Sequence, residues 1–136
     1  MTIKQLTIFL ENRTGRINEV AKILGAAGIN MKAFSMAETA DFGLLRLIVS
    51  DVEHAVRVLH DASFAVMLTD VVCISVPNVA GAMSGILETL ASNDIFIEYM
   101  YAFSEGDSAN VVIRPNNIDK CVAVLQDCNC TLLQAV

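Results

Sequence analysis

Several features are scarce or missing in this 136-residue sequence, and each absence narrows what the protein can do. No run of eighteen or more uncharged apolar residues occurs, so no membrane-spanning helix and no membrane partner are expected. An excess of positive charge is missing too. The net charge is -6, and Lys and Arg gather nowhere on one face. Nucleic-acid binding starts from a basic patch, so that function class is set aside. The opening residues, Met1-Thr2-Ile3-Lys4-Gln5-Leu6, are interrupted by polar side chains too often for a signal-peptide core. A cytoplasmic protein is expected.

Catalytic signatures are also missing. The sequence holds no G-x-S-x-G, no Walker loop, no G-x-G-x-x-G and no H-E-x-x-H. Its two histidines, His54 and His60, stand six apart on one expected helix and so point in different directions. No enzyme activity, cofactor or metal site is expected. The four cysteines are Cys73, Cys121, Cys128 and Cys130, and Cys128-x-Cys130 is neither a zinc knuckle nor a thioredoxin-like pair. Buried reduced thiols are the expectation, with Cys121 and Cys128 seven apart on one helical stripe.

What the sequence has in abundance is apolar residues, at 54%, and they repeat. Shifted by 66 residues, the chain registers on itself without a gap. Ile8 falls on Ile74, Asn12 on Asn78, Gly15 on Gly81, Leu24 on Leu90, Ile29 on Ile95 and Leu59 on Leu125. Identities at turn residues make chance an inadequate explanation, and internal repetition decides the fold. Two domains follow, at 1–69 and 70–136.

Each copy has the same succession of elements. Residues 3–10 alternate as a half-buried strand does. A helical stripe follows from Gly15 (positions 17, 20, 21, 24 and 27), and Gly28 closes it in the left-handed conformation. A second strand runs from Ile29 to about Ala37, a polar turn covers residues 38–41, and Leu44–Val49 forms a third strand. Ser50 with Glu53 matches a capping box for the next helix, and Phe64–Leu68 returns as strand four. Copy two gives strands at 71–76, 95–103, 109–114 and 130–135 and helices at 81–92 and 117–128. Asn116 is the expected cap of the latter. Asp94 stands where copy one has Gly28, so a differently built turn is expected there.

Strand–helix–strand–strand–helix–strand is the ferredoxin-like plan of an α+β protein. With only Thr69 and Asp70 between the copies, the economical arrangement is two βαββαβ units side by side. They would make one eight-stranded antiparallel sheet with four helices on one face. Thr7, Phe9, Arg46 and Ile48 belong to the helix-free face, and a unit of about 66 residues is marginal alone.

Chemistry centres on the turn after the first strand. Copy one reads Leu10-Glu11-Asn12-Arg13-Thr14-Gly15-Arg16-Ile17 and copy two reads Val76-Pro77-Asn78-Val79-Ala80-Gly81-Ala82-Met83. The glycine lets the chain turn tightly into a helix whose first N–H groups favour a carboxylate or phosphate. The asparagine supplies a donor and an acceptor on a short stem, which suits a ligand with both a carboxylate and an ammonium. From spacing alone, Asx-turns that merely cap the helices account for the asparagines equally well.

This turn, followed by Leu24-Gly25-Ala26-Ala27-Gly28-Ile29-Asn30-Met31, resembles an ACT domain, and the resemblance covers the whole chain as a tandem pair. In that family the turn carries Asp/Asn-x-Pro-Gly and the second strand begins Gly-Ile-Asn-Ile. Copy one has Thr14 in place of Pro. Copy two departs further, with Ala80 before its glycine and Asn93-Asp94-Ile95-Phe96 at the second motif.

The resemblance implies regulatory binding of an amino acid or similar small molecule, with ligand held between the first loop of one domain and the start of strand two of another. The implied site residues are Asn12, Thr14, Gly15, Arg16, Ile17, Asn30 and Met31 in copy one. In copy two they are Asn78, Gly81, Ala82, Met83 and Phe96. Crosswise pairing would set the Asn78 loop against Asn30 and the Asn12 loop against Phe96, with Arg13 and Arg16 nearby as solvated helix-end residues. Met31, Met36, Met83 and Met100 read as core filler, although a flexible methionine wall can also shape a pocket. The implied partner is a separate amino-acid metabolic enzyme, and a homodimer is expected. The alternative is a non-sensing docking or dimerisation module of the same fold.

Overall fold

Copy one begins with β1 (Ile3–Glu11), α1 (Arg16–Ala26), β2 (Met31–Glu38), β3 (Phe42–Val49) and α2 (Val52–Asp61) in the computed structural model, which describes residues 1–39 and 41–134. A long strand, β4 (Ala65–Pro77), follows. Copy two continues with α3 (Ala82–Ser92), β5 (Ile97–Glu105), β6 (Ser108–Pro115), α4 (Ile118–Asp127) and β7 (Thr131–Leu133). Two expected positions, Ala40 in the polar turn and Ala135 at the end of the last strand, lie outside the described residues.

The element order matches the sequence reading with one correction: the described residues form seven strands, not eight. The fourth strand of copy one and the first of copy two are the single thirteen-residue β4. The reason lies at Thr69-Asp70. No glycine or proline stands there to bend the chain, and the valines and leucine on either side favour extended backbone.

The chain divides into two compact units, Lys4–Thr69 and the part from Asp70 onward with Met1–Ile3. In the first, the strand order is β2-β3-β1-β4, with antiparallel β1/β3 and β2/β3 ladders. Leu6, Ile8 and Leu10 of β1 and Leu45 and Leu47 of β3 pack with Val20 and Leu24 of α1 and Ala55 and Leu59 of α2. The opposite face carries Thr7 beside Arg46, as the alternation requires. Gln5 is fully buried there, and its Nε2 donates to Thr7 Oγ1 at 3.3 Å, so the amide keeps a partner.

In the second unit β4 lies between β7 and β6, and β6 pairs with β5, all antiparallel. Val72, Ile74, Val76, Val111 and Ile113 pack with Leu90, Cys121 and Leu125. Cys73 and Cys121 are buried free thiols. Cys128 departs from the expectation. It is the C-cap of α4 and exposed, because the stripe ends with the helix at Asp127, and its Sγ lies 2.8 Å from that of half-buried Cys130.

Repetition reaches the turns. Gly28 (φ 73°) and Asp94 (φ 57°) close α1 and α3, while Ser63 (φ 66°) and Asn129 (φ 58°) close α2 and α4. The turn at Asp94 is therefore built like that at Gly28. Ile29 N–H donates to Leu24 O at 2.9 Å, and Ile95 N–H donates to Leu90 O at 3.0 Å.

The helix starts need a second correction. Asp51, not Ser50, caps α2, accepting from His54 N–H at 3.1 Å, and Asn117, not Asn116, caps α4, accepting from Lys120 N–H at 3.1 Å. Ser50 Oγ instead accepts from Asn30 N–H at 2.9 Å, and Asn116 Oδ1 accepts from Phe96 N–H at 3.0 Å. Each ties a helix start to the residues that lead into an edge strand.

Candidate functional site

The β1–α1 turn is shaped by Gly15, which serves as N-cap of α1 at φ 90° and offers no side-chain acceptor. Gly81 does the same for α3 at φ 84°. A glycine start leaves the first-turn N–H groups without a side-chain cap, the arrangement that favours an anion. Asn12 does not cap α1. Its Nδ2 donates to Thr39 O at 3.3 Å, linking this turn to the one between β2 and β3.

Beside the turn lies an open cavity of about 410 Å³, formed wholly within copy one. Asn12, Thr14, Arg16 and Ile17 line it, together with Leu10, Glu11, Arg13, Met36 and Glu38. Leu10, Ile17 and Met36 supply apolar wall. Glu38 joins because β1 and β2 both run antiparallel to β3, with Glu11 opposite Phe42 and Glu38 opposite Gly43, so their C-terminal ends lie at the same end of the sheet on either side of β3.

Arg16 is the most constrained of the charged groups. Its side chain is only 16% exposed, its guanidinium carbon lies 4.3 Å from the centre of the Phe64 ring, and Nη1 pairs with Glu19 Oε2 at 2.5 Å. Nη2 reaches Glu11 Oε1 at 4.0 Å, and Nε is buried without a hydrogen bond among the described residues. The solvated arginine of the sequence reading is thus Arg13, whose side chain is 60% exposed. A cation in the first helical turn opposes the helix dipole. Glu19, Glu11 and the Phe64 ring offset that repulsion and hold a planar donor at the cavity wall.

Asn30 and Met31 are not brought to this cavity. Met31 pairs with Val49, at the opposite end of copy one's own sheet from Glu38, and it packs against the core. In copy two, Asn78 donates its backbone N–H to Asp107 O at 2.9 Å, and Ala82 and Met83 open α3, with Met83 packed on that core. Phe96 is 68% exposed and, like Asn30, lies at the far end of its own sheet.

Applying the 66-residue shift to the cavity wall replaces Glu11, Arg13, Arg16 and Glu38 by Pro77, Val79, Ala82 and Ser104. Every charge is lost, so the two turns share a backbone and not a chemistry. Glu11 and Glu38 are the lining residues that the motif does not point to, while Met36 stands in the wall that a flexible methionine can shape. The signal was available in the strand order of the fold, which brings strands one and two to the same end of the sheet on either side of strand three.

Among the described residues no group of three or more His, Cys, Asp and Glu side chains is placed to hold a metal ion. No helix among them is long and apolar enough to cross a membrane.

Comparison with known proteins identifies the family. The model for an ACT domain pair matches residues 1–134. The chain belongs to the ACT domain pair family. It is similar to a protein of Bacteroides thetaiotaomicron of known crystal structure, at 53% identity and a TM-score of 0.94, covering 98% of this chain and 92% of that one. It also shares its fold with the ligand-free regulatory subunit of aspartate kinase from Thermus thermophilus, at a TM-score of 0.69 and 16% identity over 93% of this ACT pair and 90% of that chain. The regulatory subunit of aspartate kinase from Thermus flavus has the same fold, at a TM-score of 0.63 and 14% identity, covering 91% and 90% of the two chains. No curated protein matches.

Proposed function

We propose that this ACT pair is a non-catalytic sensor that binds a free amino acid in the copy-one cavity and reports it to a separate amino-acid metabolic enzyme. The observation that carries the reading is the cavity wall itself. Its volume of about 410 Å³ falls in the range of small-molecule sites, roughly 300–1,000 Å³. Its polar groups answer a zwitterion: Arg16 and the start of α1 suit a carboxylate, and Glu38 and Glu11 suit an ammonium. Leu10, Ile17 and Met36 then receive an apolar side chain. The family is regulatory, and the regulatory subunits of aspartate kinase share the fold as separate chains. The remaining implied residues, Asn30 and Met31 with Asn78, Gly81, Ala82, Met83 and Phe96, are assigned to ligand contact only through the family pattern.

Thermal shift against the twenty amino acids tests the reading. A ligand at about 100 times its Kd stabilises the native state by about 2.7 kcal/mol. Raised melting temperatures are expected for one or a few amino acids with apolar side chains. A folded protein unmoved by all twenty at millimolar concentration is instead a docking module, the reading that exposed Phe34 and Met36 on β2 would then favour.

A further inference from the structure

The sulfurs of Cys128 and Cys130 lie 2.8 Å apart, and it is the backbone that brings them together. Residues i and i+2 of an extended strand stand about 6.6 Å apart, close to the outer limit that a disulfide spans, about 6.8 Å. Here the chain is folded instead. Cys128 ends α4 at φ -92° and ψ 11°, and Asn129 takes the left-handed conformation at φ 58°. Cys128 N–H donates to Val124 O at 3.2 Å, Asn129 N–H to Gln126 O at 3.1 Å and Cys130 N–H to Leu125 O at 3.0 Å. None of these bonds uses a side chain, so chemistry at the two thiols leaves the turn in place.

The same turn in copy one shows that this backbone does not require cysteine. Ala62 (φ -89°, ψ 12°), Ser63 (φ 66°) and Phe64 stand at these positions. Phe64 fills the core of its unit. The thiol pair therefore belongs to copy two alone, and exposed Cys128 fills no core.

The two sulfurs are not equivalent. Cys128 Sγ donates to Leu125 O at 3.3 Å, which leaves the Cys130 S–H to face Cys128 Sγ. Cys130 is half-buried and packs against the core of its unit. Burial pushes its thiol from the usual value near 9 up to about 11, and the hydrogen bond to Cys128 and the charge of Cys128 add to the shift. Cys130 thus keeps its proton while Cys128 meets solvent. Cys128 also lines an open cavity of about 180 Å³ with Thr89, Asn93, Val124 and Asp127. Thiol–disulfide exchange depends on access to the attacking sulfur, and the cavity gives a small reagent that access. The Asp127 carboxylate at its wall repels an anion.

We propose that Cys128 and Cys130 are a reversible dithiol–disulfide site whose oxidant is a small, non-anionic disulfide. The Cys128 thiolate attacks one sulfur of the reagent RSSR, forms a Cys128–SR bond and expels RS⁻, which takes up the proton that Cys128 released. The adduct removes the Cys128 charge that helps hold the Cys130 proton. Cys130 then gives up that proton and its sulfur attacks Cys128 Sγ, expelling the second RS⁻. The protein loses two electrons and two protons, and RSSR is reduced to two RSH. Excess thiol runs both steps backwards, because exposed disulfides are the labile ones. The site lies in the unit from Asp70 onward and does not depend on the sensor reading.

The folded, reduced full chain tests this with two disulfides of similar size, cystamine (a dication) and dithiodipropionate (a dianion). Cystamine should consume two of the four free thiols and leave Cys73 and Cys121 open to alkylation after unfolding. Fragment mass spectrometry should find Cys128 joined to Cys130, and dithiothreitol should restore all four thiols. Dithiodipropionate should react roughly tenfold or more slowly at low salt. Cys130→Ser should stop with one cystamine half on Cys128, and Cys128→Ser should react roughly tenfold or more slowly than the wild type. Separate adducts on both sulfurs without an internal disulfide would overturn the proposal. So would equal rates for the two reagents, no trapped adduct in Cys130→Ser, or a Cys128→Ser chain that reacts at the wild-type rate.

Discussion

The guanidinium carbon of Arg16 lies 4.3 Å from the centre of the Phe64 ring, so the first residue of α1 rests on the segment leading into β4. Phe64 is 4% exposed, so this contact is partly desolvated and contributes about 1 kcal/mol. Arg16→Ala should lower unfolding free energy by about that much in a urea titration. It should also weaken binding of the amino acid found by thermal shift by tenfold or more, since a charge-assisted hydrogen bond is lost, at about 1.5–3 kcal/mol. Arg16→Lys keeps the charge but loses the planar donor and its stacking, and calorimetry should place its affinity between the two. Undiminished affinity in Arg16→Ala would remove Arg16 from the site.

The caps give a cleaner pair of stabilities. Asp51 and Asn117 each satisfy a first-turn N–H of an exposed helix start. Asp51→Ala and Asn117→Ala should each cost about 1 kcal/mol, and the two should add, because they lie in different units. Ser50→Ala should cost less than Asp51→Ala, since Ser50 holds the start of β2 and caps nothing. Equal losses at 50 and 51 in denaturant titrations would mean that the cap is shared.

How much of this was legible in the sequence follows from what each signal encodes. The repeat and the apolar periods located every helix within about two residues, because burial of one face depends on spacing alone. Merging of two strands into β4 could have been read from Thr69-Asp70, where no glycine or proline bends the chain, but the 66-residue repeat set a domain boundary there and drew attention away from it. The caps slipped by one because Ser50-Asp51 and Asn116-Asn117 each offer two capping residues in a row, and the choice is made by the neighbouring strand through Asn30 and Phe96. Arg16 was read as solvated because the Phe64 ring beneath it is 48 residues away in sequence. In the turn itself, Asn12, Thr14, Arg16 and Ile17 line one cavity of copy one. Strand direction carries Met31 to the far end of that sheet, and the resemblance sets the start of strand two against the Asn78 loop and not against this one.

Asp94 occupies the left-handed conformation at φ 57° that Gly28 holds at φ 73° in copy one. A side chain there is strained, and Asp tolerates it better than most residues. Asp94→Gly should therefore stabilise the protein by up to about 1 kcal/mol, with the hydrogen bond from Ile95 N–H to Leu90 O unchanged. Gly28→Ala should move stability the other way by about 1–2 kcal/mol, although open space surrounds the added carbon. Melting curves of the two variants should bracket the wild type, and a destabilised Asp94→Gly would show that the Asp94 side chain has a partner that matters more than its backbone.

The buried thiols make stability fall at high pH. Burial pushes Cys73 from its usual value near 9 up to about 11, with Glu105 adding to the shift, and burial alone pushes Cys121 up to about 11. Between pH 9 and 11 the unfolded chain releases these protons while the folded chain keeps them. The unfolded state then binds fewer protons, so unfolding free energy declines as pH rises. Below pH 9 both states are protonated, and the two thiols contribute no slope. Two units at about 1.4 kcal/mol each set an upper bound near 3 kcal/mol per thiol. Urea titrations from pH 8 to 11 should show this decline on top of lysine and tyrosine ionisation. In the double variant Cys73→Ala, Cys121→Ala the decline should be shallower, although the new cavities lower its stability at pH 8 by roughly 1–2 kcal/mol per site. The comparison reads the slope and not the starting value, which separates ionisation from packing. Parallel curves for the two proteins would mean that neither thiol titrates differently in the folded state.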